Sequence, residues 1–168
     1  MHINISARHI TQIGFPFALE RCAAQWNLDV AALGVEITET SFLREDTEVA
    51  ATLGRIRAAG FSVAIDDFGT GYSSLSYLKQ IPASTLKIDQ SFIRGLPDRH
   101  EDRALVDAVV TLAHDLGKRV IAEGVETAAQ VEYLLETGID CLQGYHFARP
   151  IPAARFADTV AAMPPTHF

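Results

Sequence analysis

The chain of 168 residues carries a formal net charge of -7, with 48% hydrophobic and 21% charged residues, a balance that fits one globular domain. Its acidic surplus excludes a broad electrostatic grip on DNA, RNA or anionic lipid, and an anionic substrate needs local help, for which metal ions are the obvious source. Cys22 and Cys141 suit neither a disulfide framework nor a zinc site and read as buried thiols, while no apolar run approaches the ~20 residues of a membrane span, so the chain reads as cytoplasmic.

Short β-branched runs alternate with stretches of helical period, the pattern of βα units around a parallel sheet. The first run, Ile3 to Ile5, starts almost at the N-terminus without a polar lead-in, which suggests a missing N-terminal piece. Leu33 to Thr38 is the second. Asp46 is placed to cap a helix ending near Ala59-Gly60, and Ser62 to Ile65 and Thr85 to Ile88 follow as strands. The clearest helix spans Glu101 to Leu116, with Leu105, Val109, Leu112, Ala113 and Leu116 on one stripe and Gly117 as its stop. Arg119 to Ala122 is the fifth strand, Ala128 to Thr137 a helix closed by Gly138, and Cys141 to Gln143 a weaker sixth strand. A last helix runs from Ala153 to Met163, before Pro164-Pro165. Periodicity leaves two α/β architectures open, a doubly wound sheet and most of an eight-stranded barrel; no glycine-rich phosphate fingerprint follows the first strand.

Polar residues recur where strands end. Asn4, Glu36, the doublet Asp66-Asp67, Lys87, Asp89, Glu123 and Gln143 each sit in or just after an apolar run. In a barrel such positions converge on one mouth, and several carboxylates in one cup need protons, a lysine or cations. Oxygen ligands without cysteine or histidine point to magnesium, manganese or calcium, and two such ions bridged by a carboxylate are a recurrent solution for phosphodiester hydrolysis. Taken singly, Asp89, Glu39 and Glu126 need do no more than cap helices or pair with lysine, Gly69-Thr70-Gly71 is an ordinary turn, and the six histidines read as solvated surface groups.

The segment Asp66-Asp67-Phe68-Gly69-Thr70-Gly71-Tyr72-Ser73-Ser74-Leu75 resembles the signature loop of EAL-domain cyclic di-GMP phosphodiesterases. Asn4-Ile5-Ser6, Glu36-Ile37-Thr38-Glu39-Thr40, Leu86-Lys87-Ile88-Asp89, Ala122-Glu123-Gly124-Val125-Glu126-Thr127 and Gln143-Gly144-Tyr145 extend the resemblance to Pro150. It implies an incomplete (β/α) TIM-like barrel, with about six of eight βα units, in one N-terminally truncated domain over 1–168. It implies two ions, Mg2+ or Mn2+: Asn4, Glu36 and Asp66 for one, Asp66 with Asp67 for the second. Lys87 and Glu123 engage the attacking water, Gln143 supports the site, and Glu39 pins a gating loop that includes Phe68, Gly69, Thr70, Gly71 and Tyr72. The implied reaction is hydrolysis of cyclic di-GMP to linear pGpG in the cytoplasm of a bacterium, behind an upstream sensory or diguanylate-cyclase-like module.

The Glu-Ala-Leu segment that names the family is absent from the 168 residues, and its glutamate is a ligand of the first ion in active members. Weak or no turnover is therefore expected of this chain alone, and a non-catalytic module that binds cyclic di-GMP or a protein partner is the alternative; an unrelated metal-dependent lyase or aldolase is a remote third. Exposed strand edges and an exposed apolar barrel interior predict a homodimer or other self-association.

Overall fold

A computed structural model describes residues 1–41, 47–71 and 75–162. Its strands are β1 (His2–Asn4), β2 (Gly34–Thr38), β3 (Ser62–Phe68), β4 (Thr85–Ile88), β5 (Arg119–Ala122) and β6 (Cys141–Leu142). All neighbours pair in parallel, in the order β1-β2-β3-β4-β5-β6. Strict sequential order is the winding of a barrel wall; a doubly wound sheet reverses direction at a switch point. Between β1 and β6 the wall is open.

The connecting helices are α1 (Ala7–Ile10), α2 (Phe15–Gln25), α3 (Thr47–Ala58), α4 (Leu75–Gln80), α5 (Gln90–Ile93), α6 (His100–Asp115) and α7 (Ala128–Glu136), with α8 (Phe156–Ala162) last. Val35, Ile37, Val63, Ile65, Leu86, Ile88, Val120 and Ala122 alternate along four strands and pack against Leu53, Ile56, Leu78, Ile93, Val106, Val110 and Leu134. Burial of that one sheet face under one layer of helices is the main source of cohesion. Helix α6 buries Asp102, Val106, Val109, Val110 and Ala113, so the stripe lies slightly round from the predicted one, with Leu105, Leu112 and Leu116 on its margin. At Gly60, Gly117 and Gly138 the chain takes positive φ values of 98°, 65° and 78°, as expected of left-handed stops. Helix α7 adds a reciprocal cap, in which Gln130 N–H donates to Thr127 Oγ1 and Thr127 N–H to Gln130 Oε1. Asp46 and the end of the last helix lie outside the described residues.

Three expectations need correction. The sheet face opposite the helices is not apolar. Register places His2 and Asn4, Gly34, Glu36 and Thr38, Ser62, Ala64 and Asp66, Thr85 and Lys87, then Arg119 and Ile121 on it, with few aliphatic side chains among them. The alternation that feeds the core with β-branched residues delivers polar ones to the other side. Cys22 and Cys141 are exposed rather than buried, Cys22 on the outward side of α2 and Cys141 on a strand with a neighbour on one side only. Finally, His2 and His114 are not merely solvated: each contacts a carboxylate, Glu36 and Asp140 respectively.

Candidate metal and phosphodiester site

At the C-terminal ends of the central strands the ammonium of Lys87 is the hub. Its Nζ lies 2.7 Å from Glu123 Oε1, 2.9 Å from Glu36 Oε2 and 3.0 Å from Asp66 Oδ1, so its three protons meet three carboxylates from three other strands or strand ends. Lys87 is only 4% exposed. Burial by itself would lower its pKa, but the hydrogen bonds to Glu123, Glu36 and Asp66 outweigh it and hold the group above the ordinary lysine range. Lys87 therefore stays a cation and a donor at neutral pH.

Asp66 and Asp67 would point to opposite faces in a regular strand. Between β3 and β4 the register advances from Ile65↔Leu86 to Phe68↔Ile88, three residues against two. The extra residue makes a bulge, and Asp67 absorbs it with a positive φ of 55°. Both carboxylates thereby reach one place: oxygens of Asp66, Asp67 and Glu123 lie within 4.8 Å of one another. Burial raises the pKa of Asp67, helped by the charges of Asp66 and Asp89 against that of Lys87. Glu123 is likewise raised, first by burial, despite Lys87 beside it. Burial is the first cause of both shifts, and to it is added the negative charge of neighbouring carboxylates gathered round a single ammonium. A hard divalent cation at ~2.0–2.6 Å from each oxygen would relieve it, and the donor set, all oxygen, suits such an ion. Asp66 and Asp67 are the residues placed to hold it, with Glu123 beside them.

Glu36 is buried, and Asn4 stands beside it in register on β1. The second oxygen of Glu36 is engaged as well, with His2 Nδ1 2.8 Å from Oε1. His2 is a contact that the search for ligand spacing missed; its place two residues before Asn4, hence on the same strand face, was the available signal. Gln143 is exposed just beyond β6 and lines three cavities, two of which reach the carboxylates: one of about 340 Å3 with Met1, His2, Glu36 and Lys87, the other of about 440 Å3 with Asp67, Asp89, Arg94, Glu123 and Tyr145. The second is large enough for part of a nucleotide.

The loop after β3 is tied from below. Glu39, 1% exposed, accepts from Gly69 N–H at 2.8 Å and from Gly71 N–H at 3.3 Å through Oε2. Thr70 is exposed and its hydroxyl donates back to Asp67 O at 2.8 Å. Gly69 has φ of 100° and faces the Phe92 ring, so glycine is required there on two counts. Phe68 differs from the expected gate: it is the last residue of β3 and is buried in the core. Tyr72 lies outside the described residues.

The EAL domain family matches residues 1–150. The bifunctional diguanylate cyclase/cyclic di-GMP phosphodiesterase MucR of Pseudomonas aeruginosa is 40% identical over 159 residues, which make up 95% of this chain and 23% of that protein. Among solved structures, the PaMucR phosphodiesterase in its c-di-GMP complex superposes with a TM-score of 0.87 at 40% identity, covering 92% of this chain and 62% of its own. Klebsiella pneumoniae BlrP1, in a manganese/cy-diGMP complex, gives a TM-score of 0.82 at 33% identity over 89% of this chain and 38% of its own. The chain thus spans less than two thirds of each of these relatives.

Proposed function

The chain belongs to the EAL domain family, and from that premise we propose that it is the site-bearing part of a phosphodiesterase that hydrolyses cyclic di-GMP to linear pGpG with two divalent cations, Mg2+ or Mn2+. The observation that carries the reading is the meeting of Glu36, Asp66 and Glu123 on Lys87, with Asp67 turned into the same cluster by a bulge. Asn4, Glu36 and Asp66 would hold one ion and Asp66 with Asp67 the other. When bound, such ions supply positive charge at the phosphodiester and lower the pKa of the attacking water.

The chain's own residues divide the remaining work by charge. Lys87, held above its ordinary range, keeps its three protons on Glu36, Asp66 and Glu123 and acts on the attacking water through its nearby positive charge; it does not accept the proton. Glu123, raised by burial and 2.7 Å from Lys87, is the better acceptor. Gln143 lines both cavities that reach the carboxylates and positions substrate between them. Glu39 holds the backbone from Gly69 to Gly71 against the site, and release of that hold is the opening movement. The protein is assigned to the cytoplasm of a bacterium, downstream of a sensory or diguanylate-cyclase-like module; no helix among the described residues is long and apolar enough to cross a membrane.

A second reading has its own observation. Both oxygens of Glu36 already meet donors of the chain itself, Oε1 at His2 Nδ1 and Oε2 at Lys87 Nζ, which favours a module that binds cyclic di-GMP or a protein partner without cleaving it. Incubation with cyclic di-GMP and Mn2+ or Mg2+, with chromatography of the product, separates the two readings. Hydrolysis to pGpG that is weak in this chain, stronger in a form extended upstream, and lost in Asp66→Asn supports the first. Binding of the nucleotide with no linear product in either form supports the second.

A further inference from the structure

We propose that His2 is a positioning residue of the first cation site, acting through Glu36, and that Gly34 is glycine in order to seat its ring. This rests on the reading of Glu36 as a metal ligand. Three observations carry it. The Nδ1 of His2 is 2.8 Å from Glu36 Oε1 while Lys87 Nζ is 2.9 Å from Glu36 Oε2, so the carboxylate is held from both ends. A carboxylate beside an ammonium only accepts, hence Nδ1 carries the ring proton and donates it. Register pairs His2 with Gly34, and a Cβ built at Gly34 would lie 2.3 Å from His2 Cδ2, 2.7 Å from Nε2 and 2.3 Å from Ser62 Oγ, so the imidazole, with the Ser62 hydroxyl, occupies the volume that any side chain at 34 would fill. The ring also forms part of the wall of the cavity lined by Glu36, Lys87 and Gln143.

The physical consequence is orientational. A glutamate has three side-chain torsions to fix before it can serve a cation, and Lys87 alone leaves rotation about the line from Nζ to the carboxylate. The second donor removes it. Groups that hydrogen-bond a ligating residue in this manner typically change metal affinity by ~10–100-fold when removed. His2 itself does not touch the ion, because its Nδ1 faces Glu36 and its Nε2 edge lies over Gly34.

The test is Mn2+ binding to the full chain, followed by calorimetry, together with two-dimensional ¹⁵N spectra of the histidine rings. Wild type is expected to show His2 as the Nδ1–H tautomer. His2→Ala is expected to weaken about 10-fold the Mn2+ event that Glu36→Gln abolishes. His2→Asn, whose amide can donate from the position of Nδ1, is expected to restore most of it, and Gly34→Ala, which displaces the ring while leaving His2 in place, to reproduce the loss. Unchanged affinity in both His2→Ala and Gly34→Ala, or an Nε2–H tautomer in the wild type, overturns the proposal. Asp66→Asn serves as the control for the underlying reading: if Mn2+ binds the wild type and Asp66→Asn equally, or does not bind the wild type, the assignment of the site fails first and His2 with it.

Discussion

Lys87 is the residue on which the site's charge balance turns. Replacing it with methionine keeps the volume and leaves Glu36, Asp66 and Glu123 facing one another without a cation, a change of the kind that costs about 3–5 kcal/mol when the partner charges stay buried. We expect Lys87→Met to lower the melting temperature of the metal-free protein and to gain more from added Mn2+ than the wild type does; thermal denaturation with and without Mn2+ reads the difference. Equal gains in the two proteins would mean that the ion and the ammonium do not share a cluster. Hydrolysis, where the wild type shows it, is expected to fall by about 100-fold or more. A separate histidine-carboxylate pair sits at the other end of the barrel wall, where Asp140 accepts from His114 Nε2 at 3.0 Å and from Val120 N–H at 2.7 Å. Burial opposes ionisation of Asp140, but these two donors prevail and depress its pKa. A carboxylate with a depressed folded-state pKa contributes stability above its unfolded value, near 3.8, that is lost as pH falls through the folded value. Asp140→Ala should therefore be destabilising by about 1–2 kcal/mol at pH 7 and nearly neutral in strong acid, as urea titrations at the two pH values will show.

The elements add constraints that no single residue carries. Strand β6 and the loop after β5 are held together because Gly144 has no side chain: a Cβ there would lie 2.1 Å from Val125 O and 2.3 Å from Val125 N, both backbone atoms that cannot rotate away. Gly144→Ala should separate the Gln143 turn from the Gly124-Val125 segment and destabilise the fold by more than about 1 kcal/mol, measurable by chemical denaturation. The loop from Gly69 to Gly71 depends on one buried carboxylate. Glu39→Ala removes the acceptor of two backbone N–H groups, and amide exchange at Gly69 and Gly71 should quicken by about 10-fold or more while exchange in β4 stays slow. The strands and the helices α3, α6, α7 and α8 follow from a legible pattern, because period-two β-branched runs and glycine stops act locally. The bulge at Asp66-Asp67 does not, since it exists only as a mismatch of register between β3 and β4. The adjacent aspartates are visible in the sequence, whereas their convergence belongs to the pairing.

For the molecule as a whole, among the described residues the winding order leaves β1 and β6 each with one unpaired edge, and apolar side chains stand exposed near both, Met1 and Ile3 at one, Phe156 and Val160 beside the Gln143-Gly144-Tyr145 turn at the other. Such edges pair readily with other chains, and self-association of the isolated chain is the expected outcome. Light scattering across a dilution series checks this; a monomer at all concentrations would contradict it. Of the two causes foreseen, the strand edges stand and the apolar interior does not, because the interior face of the sheet is polar.

From the sequence alone came the αβ alternation, six strands close to their observed bounds, and the identities of the acidic, amide and lysine groups at strand ends, all set by local periodicity and by matching motifs. Whether those units formed a barrel wall or a doubly wound sheet was not local information. It was decided by which strand lies beside which. Tertiary structure also decided that Lys87 contacts three carboxylates at once, that Asp67 turns back towards Asp66, and that His2, an unremarked surface histidine in the linear chain, rests on Gly34 against Glu36. Each of these depends on distances between strands some 20 to 50 residues apart in sequence, which register and curvature fix and composition does not.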